Sequence, residues 1–209
     1  MRRMLPAVLV AVAACSHSNE LPYYRSAPLV PEWLSAREAS APELHRVGAF
    51  TLVDQHGQQV TQASLSGKIT VAHFFFTRCR DVCPLTTHGL SGVLDSLPGE
   101  PRLQILSYSV TPKRDSVAAL DQFAREHHIA DARWHLLTGD PATTARLARQ
   151  SYFVSLGDGK NWGVDSIAHT ETLVLVDGEG RLRGFYAGTL PLEIGRLVED
   201  VKVLLAPGH

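Results

Sequence analysis

Residues 69–76, ITVAHFFF, form a continuous run of mostly apolar, β-branched and aromatic side chains. A run of this kind is typical of a central β-strand whose two faces are both covered. His73 stands within the run, and a histidine in such a strand is usually a core residue rather than a ligand. The rest of the chain must therefore supply elements that cover both faces of this strand.

Strand and helix patterns alternate after residue 76, and a hairpin pattern precedes residue 69. The preceding pattern is FTLVDQHGQQVT, with Gly57 near its middle. The later patterns are, in order, a helix (LTTHGLSGVLDSL), a strand (RLQILSYSV), a helix that Ser116 could cap (SVAALDQFAREHH), a short strand (RWHLL), a helix (DPATTARLARQS), a hairpin (TLVLVDGEGRLRGFYAG) and a closing helix (LPLEIGRLVEDVKVLL). This order predicts an α/β sandwich with a mixed central sheet and an N-terminal β-hairpin.

Length and charge limit the classes of protein that remain. A chain of 209 residues with 44% hydrophobic and 20% charged residues is typical of a soluble domain with one core. The formal net charge is −1, and no run of lysine or arginine stands out. We therefore expect no nucleic-acid partner.

The first residues are typical of an export signal. Arg2 and Arg3 precede the apolar residues 5–14, which are too few to span a bilayer. This segment ends in small residues directly before Cys15 and so resembles the lipobox of bacterial lipoproteins, whose cysteine is lipidated. We expect a signal peptide at 1–14 and a lipid anchor on Cys15, with the exported domain facing the periplasm or the cell exterior.

A proline-rich segment follows the signal. Residues 15–45 contain four prolines and show little periodicity, so we expect a tether that holds the domain off the membrane. The folded domain is then expected to span residues 46–209.

Cys79 and Cys83 are the two cysteines that remain beyond Cys15, and they lie where the central strand should lead into a helix. They could be a redox couple, a metal clamp, a structural disulfide or two buried thiols. Residues four apart on a helix have Cβ atoms about 5–6 Å apart, whereas a relaxed disulfide needs about 3.5–4.5 Å. A bridge therefore needs strain or one cysteine outside the helix, and the spacing disfavours a structural disulfide.

Two features predict a lowered pKa for these thiols. They are the positive N-terminal end of the following helix and the two arginines, Arg78 and Arg80, that flank Cys79. Thiolates are the nucleophiles of disulfide exchange and also the ligands of soft metals such as Cu(I). The cysteines therefore support the redox hypothesis and the metal hypothesis equally.

A third ligand would separate these two hypotheses. His169 is the histidine best placed for this role, because it follows a glycine-rich stretch and stands just before an apolar strand pattern. His88 should point away from Cys83 on a helix, and His127 and His128 end a helix, where contact with its dipole explains them. The remaining histidines have no distinguishing context: His45, His56, His135 and the terminal His209.

The cysteine motif resembles that of the Sco/SenC family of copper-binding proteins with a thioredoxin fold. Members have Phe-Phe-x-Thr-x-Cys-x-x-x-Cys-Pro after the first core strand, and residues 75–84 here are FFTRCRDVCP. A second element, Ser-Val-x-Pro-x-Arg-Asp, is matched by SVTPKRD from Ser109. A third, a histidine and Ser/Thr before an apolar strand and a turn, is matched by His169 and Thr170. The three elements occur in family order.

The resemblance implies a thioredoxin-like fold and a function. Cys79, Cys83 and His169 together bind one copper ion, as Cu(I) or Cu(II), for delivery to the two-copper site of cytochrome c oxidase. The implied partner is subunit II of that oxidase or a related copper protein, and the chain is a binding protein rather than an enzyme. The alternative is a thiol-disulfide oxidoreductase, in which Cys79 and Cys83 act as the redox-active pair on an oxidase subunit or another exported protein.

Three residues depart from the family pattern. Arg80 stands where many members have proline, and Thr111 and Ala168 stand where aspartates are usual. The loss of two carboxylates leaves the site less negative, which disfavours Cu(II) and leaves thiol chemistry unchanged. A peroxidase is less favoured, because one residue separates Thr77 from Cys79 where peroxiredoxins usually have two.

Overall fold

The computed structural model describes residues 20–26, 28–79, 82–155 and 171–207. Its elements, in chain order, are α1 (Ala36–Ala39), β1 (Thr51–Val53), β2 (Gln59–Thr61), β3 (Ile69–Phe75), α2 (Val82–Ser96), β4 (Leu103–Ser109), α3 (Val117–Glu126), β5 (Trp134–Leu137), α4 (Pro141–Arg146), β6 (Thr172–Val176), β7 (Leu182–Ala187) and α5 (Pro191–Leu205). A short 3₁₀ turn, Gln62–Leu65, precedes β3, and a π-helical turn, Leu147–Ser151, continues α4.

β3 lies at the centre of the main sheet, as the apolar run predicts. It pairs in parallel with β4 and in antiparallel with β6, and all seven of its residues are buried. Neighbouring strand residues point to opposite faces of a sheet. Phe74 stacks on Tyr108 and contacts Tyr152, which follows α4, whereas Phe75 packs against Phe123 of α3. Helical segments therefore cover both faces of this strand.

The order of the strands confirms the predicted fold class. In the described residues the main sheet has five strands in the order β5-β4-β3-β6-β7. β3, β4 and β5 run parallel to one another, β6 runs antiparallel to β3, and β7 runs antiparallel to β6. β1 and β2 form the predicted N-terminal hairpin, which a single bridge between Val53 and Thr138 joins to the segment after β5. The predicted cap of α3 is also present, because the Ser116 side chain accepts a hydrogen bond from the Ala119 N–H.

The parallel strands bring two loops to the same edge of the sheet. β3 leads towards α2, and β4 leads through residues 110–116 to α3. Phe75 pairs with Ser109, and the Val110 N–H donates to the Phe75 carbonyl over 2.9 Å. Because the carboxyl ends of parallel strands meet at one edge, the cysteine motif and the second family element lie side by side.

The segment that precedes the domain packs against β7 over residues 20–26 and 28–44. The Tyr24 N–H donates to the Leu182 carbonyl over 3.2 Å. The side chain of Arg183, itself buried on β7, donates to the Leu21 carbonyl over 2.7 Å and lies 3.9 Å from the centre of the Tyr23 ring. The N-terminal segment thus supplies hydrogen-bond acceptors to a buried cation, in addition to the carboxylate of Asp177.

The described residues of the expected tether at 15–45 make these contacts and include the short helix α1, whose Ser35 and Glu38 form a capping box. Arg181 and Arg183 are buried, and a guanidinium inside a protein needs hydrogen-bond acceptors, which the Ala39 and Leu21 carbonyls supply. The division of the chain into signal, tether and domain stays a prediction. Residues 15–19 and 27 lie outside the described residues.

Candidate functional site

Cys79 and Cys83 lie at the junction between β3 and α2, as the sequence predicts. β3 ends at Phe75, and the Cys79 N–H donates to the Phe76 carbonyl over 3.2 Å before α2 begins at Val82. The two cysteines are 7% and 4% exposed, respectively. The pair therefore lies at the carboxyl end of the central strand, just below the surface.

The two cysteines contact each other through the start of the helix. The backbone N–H of Cys83 donates to the Sγ of Cys79 over 3.4 Å. This N–H belongs to the first turn of α2, where backbone donors have no acceptor within the helix and carry partial positive charge. Cys79 precedes the helix and Cys83 lies in it, and both carry thiols in this structure. One cysteine is therefore outside the helix, which removes the objection to a reversible bridge.

The pKa of Cys83 differs from the sequence-based expectation. Burial raises the pKa of this thiol well above its ordinary value, the neighbouring Cys79 raises it further, and the negative charge of Asp115 adds a smaller increase. A backbone hydrogen bond from Phe76 lowers it only in part. The expectation of a lowered pKa is therefore wrong for Cys83, because desolvation outweighs the helix end and Arg78 is exposed to solvent. A metal that binds here must displace the thiol proton.

Asp115 is a site residue that sequence reasoning missed. It is 1% exposed, and its carboxylate accepts hydrogen bonds from the side chains of Thr77, Ser109 and Thr111. Thr77 lies two residues before Cys79, so the carboxylate is linked to the cysteine motif. The signal that could have revealed it is the Arg-Asp pair that ends the second family element.

His169, the predicted third ligand, lies outside the described residues, as do Ala168, Arg80 and Cys15. In the described part of the chain, no group of three or more His, Cys, Asp or Glu side chains could hold a metal ion. The described residues thus bring together two sulfurs and leave the third ligand a prediction.

Three further histidines of the described residues have contacts of their own, and a fourth is exposed. His88 is exposed on α2, and His127 ends α3 with its ring against Phe123. His45 is hydrogen-bonded to the Ser151 carbonyl, and His135 is hydrogen-bonded to Asp54.

His73 is a core residue, as predicted. It is 1% exposed, and burial lowers its pKa to about 4. Trp134 Nε1–H donates to the Ser107 hydroxyl over 3.0 Å, and that hydroxyl lies 3.5 Å from His73 Nδ1. Among the described residues, none is hydrogen-bonded to the Nε2 atom of His73. The imidazole is therefore held neutral inside the sheet, and an added proton would have no acceptor at Nε2.

Comparison with protein families gives one match that covers most of the chain. The sequence model of the family SCO1/SenC matches residues 38–206. Among curated proteins, the "SCO1 protein homolog" of Bacillus subtilis is 29% identical over 163 residues, which cover 77% of this chain and 83% of that protein. The matched region includes the cysteine motif and the segment with His169.

Solved structures of similar proteins share the fold. BsSco, described as a member of the Sco family of cytochrome c oxidase assembly proteins in which a disulfide switch was identified, has a TM-score of 0.68 and 28% identity, covering 78% of this chain and 95% of its own. Bradyrhizobium japonicum ScoI with copper bound has a TM-score of 0.63 and 30% identity, covering 76% of this chain and 99% of its own. The expected thioredoxin-like Sco fold is confirmed. Helices long and apolar enough to span a bilayer are absent from the described part of the chain.

Proposed function

The chain belongs to the SCO1/SenC family, and we propose that it is a copper metallochaperone. It binds one copper ion, as Cu(I) or Cu(II), through Cys79, Cys83 and His169 and delivers it to the two-copper site of cytochrome c oxidase. The observation that carries this proposal is the meeting of two sulfurs at the start of α2, where the Cys83 N–H donates to Cys79 Sγ.

The donor set fits copper better than the other common metals. Thiolates are soft ligands that favour Cu(I), whereas a structural zinc site usually has four protein ligands. Two buried sulfurs and one histidine make a site of low coordination number that a second protein can reach. The copper-bound Bradyrhizobium japonicum ScoI, 30% identical to this chain, supports the choice of metal.

The partner and the location follow from the same proposal. Subunit II of cytochrome c oxidase, or a related copper protein, accepts the ion by placing its own sulfur and nitrogen ligands against the cysteines. The protein is exported after removal of residues 1–14, and a lipid on Cys15 anchors it to a membrane, facing the periplasm or the cell exterior. In this role the protein binds and transfers its cargo and is not an enzyme.

Metal titration of the reduced protein tests the copper site. We expect one copper ion per chain, and Cys83→Ser and His169→Ala should each lower copper affinity at least about tenfold. His88→Ala is the matched control, because His88 is exposed on α2 and should leave affinity unchanged. Unchanged affinity in His169→Ala would remove the third ligand from the proposal, and failure of the wild-type protein to bind copper would overturn it.

A specific observation also favours thiol-disulfide exchange as a second candidate. Cys79 lies before α2 while Cys83 lies within it, so the pair can form a bridge without distorting the helix. BsSco, 28% identical to this chain, is described as containing a disulfide switch. In this reaction Cys79 attacks a disulfide of the partner, Cys83 then displaces the partner's sulfur, and the partner leaves with two thiols while Cys79 and Cys83 become a disulfide.

Trapping of a mixed disulfide tests this second function. In the metal-free Cys83→Ser variant the second displacement cannot occur, so the partner should remain bound through Cys79. The Cys79→Ser variant is the control and should trap nothing. Equal trapping by both variants, or none by either, counts against the reductase while leaving the copper proposal standing.

A further inference from the structure

Asp115 joins the two loops at the edge of the sheet where the cysteines lie. Its Oδ1 accepts a hydrogen bond from the Thr77 hydroxyl over 2.7 Å. Its Oδ2 accepts hydrogen bonds from the hydroxyls of Ser109 and Thr111, over 2.6 and 2.9 Å, and from the Thr77 N–H over 3.4 Å. Both oxygens are therefore occupied, one by the loop after β3 and the other chiefly by the loop after β4.

The link to Thr77 controls where Cys79 can lie. Only Arg78 separates these two residues, and the Cys79 N–H is itself bound to the Phe76 carbonyl. Two hydrogen bonds from Thr77 to one carboxylate fix the backbone and the side chain of the residue at the start of this turn. The position of the Cys79 sulfur is thus set from the neighbouring loop as well as from its own.

The charge of Asp115 acts on the same place. Its donors are hydroxyls and a backbone N–H, which stabilise a carboxylate without cancelling its charge. The carboxylate is hydrogen-bonded to Thr77, two residues before Cys79, so its charge lies at the turn that carries this sulfur. A negative charge there attracts a cation, and it attracts Cu(II) more strongly than Cu(I). Thr111, which replaces the aspartate usual in the family, donates to this carboxylate rather than adding a second one.

We propose that Asp115 is a positioning residue of the copper site. Its buried carboxylate holds the turn that carries Cys79 and supplies the negative charge that favours Cu(II) over Cu(I). This inference rests on the proposed copper function and identifies a carboxylate that this chain retains although Thr111 and Ala168 stand where two others are usual. The residue acts on copper through its charge and through the cysteine turn, without being a ligand.

Asp115→Asn tests the charge, because asparagine keeps the shape and one acceptor oxygen. The affinities of the reduced protein for Cu(I) and of the same protein for Cu(II) are measured by competition with chelators. We expect Cu(II) affinity to fall about tenfold more than Cu(I) affinity, since the interaction scales with the charge of the ion. Asp54→Asn is the matched control: Asp54 is also 1% exposed and hydrogen-bonded to backbone N–H groups, but it lies in the β1–β2 hairpin.

Thr77→Val tests the positioning, because valine has the shape of threonine but its side chain cannot donate to Asp115, which leaves only the weaker backbone N–H contact. We expect both copper affinities to fall by a similar factor, with the ratio between the two oxidation states unchanged. If Asp115→Asn loses its cooperative thermal transition and so does not fold, Thr77→Val still tests whether Asp115 positions the turn that carries Cys79. Wild-type affinities in Thr77→Val overturn the positioning role.

The outcomes separate this inference from the proposed function. Equal losses for Cu(I) and Cu(II) in Asp115→Asn, or the same losses in Asp54→Asn, overturn the role of the charge. A wild-type protein that binds copper through Cys79 and Cys83 and is indifferent to both variants keeps the proposed function and overturns this inference. A wild-type protein that binds no copper overturns the function, and the inference with it.

Discussion

Asp115 and Asp177 are both buried aspartates, but they lie at opposite ends of the sheet and have different partners. Asp115 lies beyond the carboxyl end of β4 and is bound by hydroxyls and a backbone N–H. Asp177 follows β6, which is antiparallel to β3, and its carboxylate pairs with Arg181 and Arg183 over 2.8 and 3.1 Å. The Asp115 carboxylate is thus hydrogen-bonded by neutral groups, whereas the Asp177 carboxylate is neutralised by two arginines.

This difference separates a structural cluster from a functional one. The arginines paired with Asp177 also bind carbonyls of the N-terminal segment, so the cluster holds that segment to β7. The carboxylate of Asp115 has only neutral donors as its hydrogen-bond partners among the described residues, at the loop that leads to Cys79. The fold thus pairs one buried aspartate with cations, where the N-terminal segment docks, and leaves the other unpaired with cations next to the proposed copper site.

Exchange of each aspartate for asparagine is the strongest test of this comparison. Asp177→Asn leaves the buried Arg183 without a counter-charge and leaves Arg181 only its pair with the exposed Glu179. We expect a loss of about 3–5 kcal/mol in the free energy of unfolding. Asp115→Asn keeps hydroxyl partners that can rotate, and we expect a loss of about 1–2 kcal/mol. Urea denaturation measures both.

The exposed pair Glu193–Arg196 provides the control, and Glu193→Gln should cost less than about 1 kcal/mol. Copper stoichiometry per folded chain should remain that of the wild type in Asp177→Asn. Equal losses of stability in the two aspartate variants would remove the distinction between the clusters.

His73 provides a test in the strand between the two clusters. Its pKa is about 4 in the folded protein and near 6.5 in the unfolded chain. Below about pH 6.5 the unfolded chain therefore binds a proton that the folded protein does not, and stability should fall by about 3 kcal/mol as pH drops towards 4. Above about pH 6.5 the imidazole is neutral in both the folded and the unfolded state, so it adds no pH dependence to the stability.

Urea denaturation at a series of pH values measures this slope. His73→Leu should show a smaller decrease between pH 6.5 and 4, because the titrating ring is gone while the carboxylates remain. If the free energy of unfolding falls equally in wild type and His73→Leu, the loss of stability in acid comes from titration of the carboxylates and not from His73.

Tyr23→Ala should have the smallest effect of the three. The variant removes the ring that lies over the Arg183 guanidinium at 3.9 Å, and we expect a loss of about 1–2 kcal/mol. Limited proteolysis should cut the N-terminal segment faster, since its contact with β7 is weakened. Proteolysis as slow as in the wild type would show that the carbonyl contacts of Arg183 suffice to hold it.

The sequence predicts the elements that depend on local pattern. The apolar run of β3, the hairpin before it, the alternation after it and the Ser116 cap are all found where residue type and spacing place them. The junction of strand and helix at Cys79 and Cys83 is also found, because the motif directly follows the apolar run.

The features that the sequence does not predict depend on residues far apart in the chain. The Arg183 side chain bonds to the Leu21 carbonyl across 162 residues, and no local pattern indicates that a proline-rich stretch will meet that strand. The pKa of Cys83 is raised chiefly by burial, and the depth of burial depends on packing that the local sequence does not indicate. Asp115 acts through Thr77, which lies 38 residues earlier and on a neighbouring strand loop.

The docked N-terminal segment would limit how far the domain moves from the proposed anchor. If Cys15 carries the lipid, Leu21, which Arg183 holds, is only six positions further along the chain, and six residues span at most about 20 Å. A connection that ended at residue 46 would span about 105 Å. Since the accessible volume grows with the cube of this span, docking would restrict the proposed copper site to roughly a hundredth of that volume, near the membrane that carries the proposed anchor.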